Sequence, residues 1–128
     1  MVTEKRFALF IATSEYKGSK FKSLPSSVND VERLGRVLKD PNIDGFMSVK
    51  TVANRPTNTV CKAISQFIED KKQSDVLLVY YSGHGVLDSD GSLCLPLRDT
   101  EKRYLSATAL EAEFITREMD KKDWDVWC

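Results

Sequence analysis

Residues 75–82 read DVLLVYYS, the most apolar run in the chain, unbroken by any charged residue from Val76 to Tyr81. A strand with one wet face alternates apolar and polar residues. A continuous run suits a strand buried on both faces, the condition of a parallel sheet covered by helices. RFALFIAT at Arg6–Thr13 is a second run of this kind, and the polar, glycine-containing stretch Ser14–Ser23 closes it as a loop.

The sequence between these runs supplies the helices such a sheet needs. From Pro25, PSSVNDVERLGRVLKDP sets Val28, Val31, Leu34, Val37 and Leu38 at helical spacing, with Ser26 or Ser27 placed to cap the start and Pro41 to stop it. MSVKTVA (Met47–Ala53) is short, alternating and β-branched, and predicts a strand. Arg55-Pro56-Thr57 opens a second helix with Val60, Ala63, Ile64, Phe67 and Ile68 in one stripe, and lysines in the last turn suit the helix dipole. The order predicts a doubly wound, mostly parallel α/β sheet with helices on both faces, and Asp75–Ser82 reads as its central strand.

Beyond the third strand, VLDSDGSLCLPL predicts a hairpin between Val86–Leu87 and Leu93–Leu97, with Asp90-Gly91 at the turn. Ser106 is placed to cap a helix running to Met119, with Leu110, Phe114, Ile115 and Met119 on one side. The end, KKDWDVWC, alternates two tryptophans and a valine with aspartates, a strand that barely begins. The expected organisation is one domain over 1–120, with 121–128 a divergent or truncated tail and the sheet incomplete on its C-terminal side. Such a sheet exposes the edge of its most apolar strand, which predicts a homodimer or a complementing chain.

Composition narrows the function classes. The 128 residues carry 19 Lys plus Arg against 19 Asp plus Glu, so no basic excess marks a nucleic-acid partner. The apolar runs are too short to cross a bilayer and MVTEKRF has no signal-peptide core, so no membrane is expected and the expected location is cytoplasmic. Cys61, Cys94 and Cys128 are odd in number, widely spaced and joined by a single histidine, which argues against a disulfide framework or a structural zinc site.

That histidine, His84, stands in YYSGHG immediately after the apolar strand. In doubly wound sheets, loops converge beyond the carboxyl ends of the strands and form the ligand site there. An imidazole can accept a proton from a nucleophile or keep a thiol ionised. Gly83 and Gly85 are expected to take backbone angles closed to other residues and to leave room for a substrate backbone. The competing reading is a solvent-facing histidine in a glycine turn.

DVLLVYYSGHG, preceded by ALFIATSEYKGS and LPSSVNDVERLGRVL, resembles the caspase-like cysteine peptidases, and most closely their bacterial metacaspase-type members. The PT…AI..F helix opening, Asp88 and Asp90 in the turn, and LPLRDT are similar too, so the resemblance spans residues 5–120. It implies a peptide or protein substrate and a Cys/His dyad, with His84 as general base and the Gly85 backbone N–H as oxyanion donor. It further implies that Asn29 and Asp30 bond the loop above the first strand, and that these two and Tyr16, with Lys17 and Gly18 beside it, are candidates to border the substrate cleft. That loop carries no arginine where aspartate-cleaving caspases have one, which counts against aspartate specificity. Calcium, which some metacaspases use, has only Asp88, Ser89, Asp90 and Gly91 to hold it. That loop lacks the bidentate glutamate of an EF-hand, so a hairpin turn and no cofactor are expected.

The dyad needs a thiol. Cys61 falls inside the second helix and Cys94 in the hairpin, where both read as small packing residues. Cys128 lies forty-four positions after His84, near the caspase spacing of about 50. Its context differs from the family's: no apolar strand precedes it, Trp127 stands where an aspartate is usual, and a terminal carboxylate would raise its thiol pKa. Two readings stay open. One is a cysteine endopeptidase using Cys128 or a cysteine from a partner chain, and the other a catalytically inactive module acting through protein contacts.

Overall fold

The computed structural model describes residues 4–17, 21–43 and 45–121. Its first sheet is parallel in the order β2-β1-β3, from strands β1 (Arg6–Ala12), β2 (Ser48–Ala53) and β3 (Val76–Ser82). Helix α1 (Ser26–Lys39) joins β1 to β2, and α2 (Thr57–Glu69) joins β2 to β3. The first crossover moves outward from β1 and the second returns past it. Because both connections keep the same hand, the two helices lie on opposite faces of the sheet.

The helices pack two cores. On one face Val31 and Leu38 of α1 cover Ala8, Phe10 and Ala12. On the other, Val60, Ala63, Ile64, Phe67 and Ile68 of α2 cover Leu9 and Ile11, joined by Leu95, Leu97 and Leu110. The alternation of β1 explains the division: its even residues face α1 and its odd residues face α2. The α1 contact is close, since a Cβ on Gly35 would stand 3.4 Å from Val49 Cγ1.

The structure revises several expectations. β1, not β3, is the central strand; Ala8 to Ala12 are at most 1% exposed, while Val76 and Tyr80 of β3 are 39% and 38% exposed. β3 is the sheet edge among the described residues, and its two tyrosines suit it to partial wetting. Neither Ser26 nor Ser27 caps α1; Pro25 holds the N-cap position, and buried Ser27 donates its backbone N–H to the Leu24 carbonyl (3.1 Å). Val37 points away from the sheet. The lysines expected in the last turn of α2 lie just beyond it, where Lys71 Nζ reaches back to the Phe67 carbonyl (2.9 Å).

The hairpin forms from β4 (Val86–Leu87) and β5 (Leu93–Leu95), whose second strand ends two residues short of the expected Leu97, with Gly91 in the left-handed region at φ +81°. Asp88 Oδ1 accepts the backbone N–H groups of Asp90 and Ser92, both at 2.9 Å, and so closes the turn. The helix expected from Ser106 to Met119 is instead broken. A 3₁₀ turn (Lys102–Tyr104) and α3 (Leu105–Thr108) precede β6 (Leu110–Glu111), which pairs antiparallel with β5, and α4 (Ala112–Asp120) follows. The break has two causes. The Thr108 carbonyl accepts from Thr100 Oγ1 (2.9 Å) and lies 2.8 Å from Thr57 Oγ1, and Leu110 is drawn into the core beside Leu95. The strand read in KKDWDVWC lies outside the described residues.

Burial should decide stability here, not helical periodicity. Ile64→Ala, at a fully buried position, is expected to cost about 3 kcal/mol. Val37→Ala, 45% exposed despite its place in the apolar pattern, should change stability by less than about 0.5 kcal/mol. Urea titrations of both variants check this, and comparable losses would contradict the packing described.

Candidate active site

The reversal of the chain around β1 makes the loops after β1 and β3 leave the carboxyl edge side by side, and Tyr16 and His84 meet there. The backbone N–H of His84 donates to Tyr16 Oη (3.0 Å), and Tyr16 Oη reaches the Thr13 carbonyl at 3.4 Å. On the other side of the same residue, Tyr81 Oη lies 2.9 Å from the His84 carbonyl and 2.7 Å from the Pro96 carbonyl. Burial, reinforced by the neighbouring Tyr16 phenol, pushes the Tyr81 pKa well above the usual tyrosine range, so this hydroxyl stays a neutral donor.

The imidazole is half-buried among aromatic rings, with centroids 5.1 Å from Tyr16 and 5.9 Å from Phe21. Its Nε2 lies 2.7 Å from the Lys22 carbonyl. A carbonyl only accepts, so Nε2 carries the hydrogen and the neutral ring keeps its free lone pair on Nδ1. When Nδ1 takes up a proton, the same carbonyl becomes the acceptor of a charge-assisted bond. The arrangement presents Nδ1 as the ring nitrogen that can accept a proton.

The glycines on either side of His84 have different reasons to be there, and neither is the backbone angle expected from the sequence. Gly45 and Gly91 are the described glycines with positive φ. A Cβ on Gly83 would fall 2.7 Å from Tyr81 Cζ and 2.9 Å from Tyr16 Oη, so Gly83 is required by the approach of the two phenols. A Cβ on Gly85 would meet only Leu93 Cδ1, at 3.6 Å. Gly85 as a residue is exposed.

Beside this centre, Glu15, Tyr16, Lys17, Pro56, Arg98 and Asp99 line an open concavity of about 480 Å³. The Lys17 N–H donates to the Arg98 carbonyl (2.7 Å), which ties the loop after β1 to the chain leaving β5. Asp99 Oδ1 accepts the Thr57 N–H (2.9 Å) and lies 2.7 Å from Thr57 Oγ1, which caps α2 from a distant part of the chain. Gly18 lies outside the described residues.

Asn29 and Asp30 do not bond the loop above β1 among the described residues; both are exposed on α1. Asn54 takes that part. Its Oδ1 accepts the backbone N–H groups of Ser14 (2.9 Å) and Glu15 (3.1 Å), and its Nδ2 donates to Ser14 Oγ (3.0 Å). It does so from the left-handed region, at φ 54°, which asparagine tolerates better than most residues. The sequence signal was an asparagine at a strand end, two residues before a proline.

The surroundings of both described thiols disfavour the thiolate. Cys94 is fully buried with Sγ 3.9 Å from Asp88 Oδ2, and burial followed by the nearby Asp88 and Glu111 carboxylates raises its pKa. Cys61 is half-buried against the α2 core, its pKa raised by burial and then by Glu118 and Asp99. Cys128 lies outside the described residues.

Two outcomes follow from this geometry. Gly83→Ala should cost about 2 kcal/mol by forcing the phenols apart, while Gly85→Ala should stay within about 0.5 kcal/mol; paired urea titrations separate them. His84 is the sole histidine, so long-range ¹H–¹⁵N correlation reads its ring without ambiguity. The neutral ring should show the Nε2–H tautomer, and an Nδ1–H ring would contradict the role given to Lys22.

Comparison with known proteins bears on the family and the fold. The family model described as "Caspase domain" matches residues 5–122. Among curated proteins there is no match. The solved structure described as "structure of pro-sf-caspase-1" superposes with a TM-score of 0.70 at 20% identity, over 91% of this chain and 43% of that one. The chain thus has the caspase fold and spans less than half of that structure's chain. With a caspase-domain match across nearly all of its length, the chain belongs to the caspase family.

Proposed function

We propose that this chain carries the histidine half of a caspase-type cysteine endopeptidase site, in the manner of the metacaspase-type members its YSGHG and VND segments resemble. The observation that carries the reading is the 2.7 Å contact of His84 Nε2 with the Lys22 carbonyl, which leaves Nδ1 as the base at the mouth of the sheet. In the proposed reaction Nδ1 takes the proton of a cysteine thiol and the thiolate attacks a peptide carbonyl. The Gly85 N–H donates to the oxyanion, and the imidazolium returns its proton to the leaving amine. No metal or cofactor takes part.

The nucleophile is Cys128 or a cysteine from a complementing chain. Free Cys61 and Cys94 are in keeping with a cytoplasmic setting, and no helix among the described residues is long and apolar enough to cross a membrane. Residues 1–120 would form the large-subunit-like domain. The open edge of β3, with Val76 and Tyr80 exposed, is the place where a second copy or a complementing chain would extend the sheet.

A peptide bearing a thiol-directed electrophile tests this with mass-spectrometric mapping of the labelled residue. Labelling of Cys128, or of an added complementing chain, should vanish in His84→Ala, while Cys61 and Cys94 stay unmodified. Absence of labelling with every peptide offered would sink the peptidase reading and leave an inactive protein-binding module.

A further inference from the structure

The strand at the opposite end of the sheet, β2, is also an edge among the described residues, and its surroundings are charged in one sense. On the α2 side of β2, a concavity of about 540 Å³ is lined by Lys50, Arg55 and Lys62 and by no carboxylate. On the α1 side, a second concavity of about 330 Å³ is lined by Arg36 and Lys39, against the single carboxylate of Glu32. Thr51 of β2 borders both. None of these five cations joins an ion pair among the described residues. In a chain of zero formal charge, this is a concentration of unneutralised positive potential along a free strand edge.

We propose that the β2 edge docks an acidic segment of a protein partner, which adds to the sheet as an extended strand. The edge offers main-chain N–H and C=O groups for ladder pairing, and the six residues of β2 span about 20 Å, enough to order about five partner residues. Successive side chains of an added strand project to opposite faces. One set enters the groove of Arg36 and Lys39, the other the groove of Lys50, Arg55 and Lys62, so acidic residues at either parity find a cation. A run of acids fits this edge better than an alternating pattern. Nucleic acid fits less well, since no aromatic side chain lines either groove for base stacking. His84 follows the opposite edge strand, so the proposal does not depend on the peptidase reading and its occupant leaves that centre open.

Fluorescence anisotropy with a fluorescein-labelled, glutamate-rich octapeptide carrying valines for strand propensity tests the proposal. Binding should saturate at low salt and weaken as salt rises, and Lys50→Glu with Lys62→Glu should weaken it by at least about tenfold. Both lysines are exposed, so the double variant should fold as the parent does, which circular dichroism verifies. The same peptide N-methylated on alternate residues along either edge loses ladder donors and should bind about tenfold more weakly for one of the two patterns. Lysines that merely guard the edge against pairing would give no saturable binding, and that result would overturn the proposal. So would equal affinity for both N-methylated peptides and the parent, or an oligothymidylate of similar charge binding as tightly, since either would reduce the edge to a nonspecific anion patch.

Discussion

The burial of Ala8–Ala12 in β1 is the constraint on which the rest of this molecule depends. Residues Ala8 to Ala12 are at most 1% exposed, with a strand on each edge and a helix over each face. Every main-chain polar group in such a strand must be paired, since an unsatisfied buried amide costs more than the bond it lost. β2 and β3 do this in full register from Phe7 to Ala12. The side chains divide the work. Ala8 and Ala12 leave room for α1 to approach, helped by Gly35, while Leu9 and Ile11 fill the space below α2.

Because β2 and β3 occupy opposite sides of β1, the chain diverges at the carboxyl edge, and the site is built in that divergence. Tyr16 comes from the loop after β1, His84 from the loop after β3, and the Lys22 carbonyl from the approach to α1. Two phenols grip the main chain of His84, one accepting from its N–H and the other lying against its carbonyl. This fixes the position of the imidazole through its backbone and leaves the ring free to exchange a proton at Nδ1. The neutral state of the half-buried Tyr81 matters here, because a phenolate would lose the hydrogen that faces these carbonyls.

The elements that could be read from sequence are those fixed by local periodicity. The stripe Val60, Ala63, Ile64, Phe67 and Ile68 is buried in full, and Asp90-Gly91 forms the hairpin turn it predicts. The misreadings share a cause, which is competition from partners distant in sequence. Residues 106–119 have helical spacing, yet the hydroxyls of Thr57 and Thr100 crowd the Thr108 carbonyl and Leu110 is drawn to β5. The cap of α2 is likewise distant, supplied by Asp99 forty-two residues away. β3 read as central because an unbroken apolar run does not say which strands, if any, flank it, and among the described residues β3 has one neighbour and is only half-buried.

In the site, the sequence by itself determined that a lone histidine follows a parallel strand at the edge where such sheets bind ligands, and its motif was enough to imply the family. Residue order carries that information, since strand, turn and histidine are contiguous. Only the tertiary structure decided what holds the histidine and which nitrogen is basic. It also showed that Gly83 is needed for space, not for its backbone angle, and that Asn54 secures Ser14 and Glu15 of the neighbouring loop. Most of these depend on contacts across 39 to 68 residues of chain, and no local pattern encodes them.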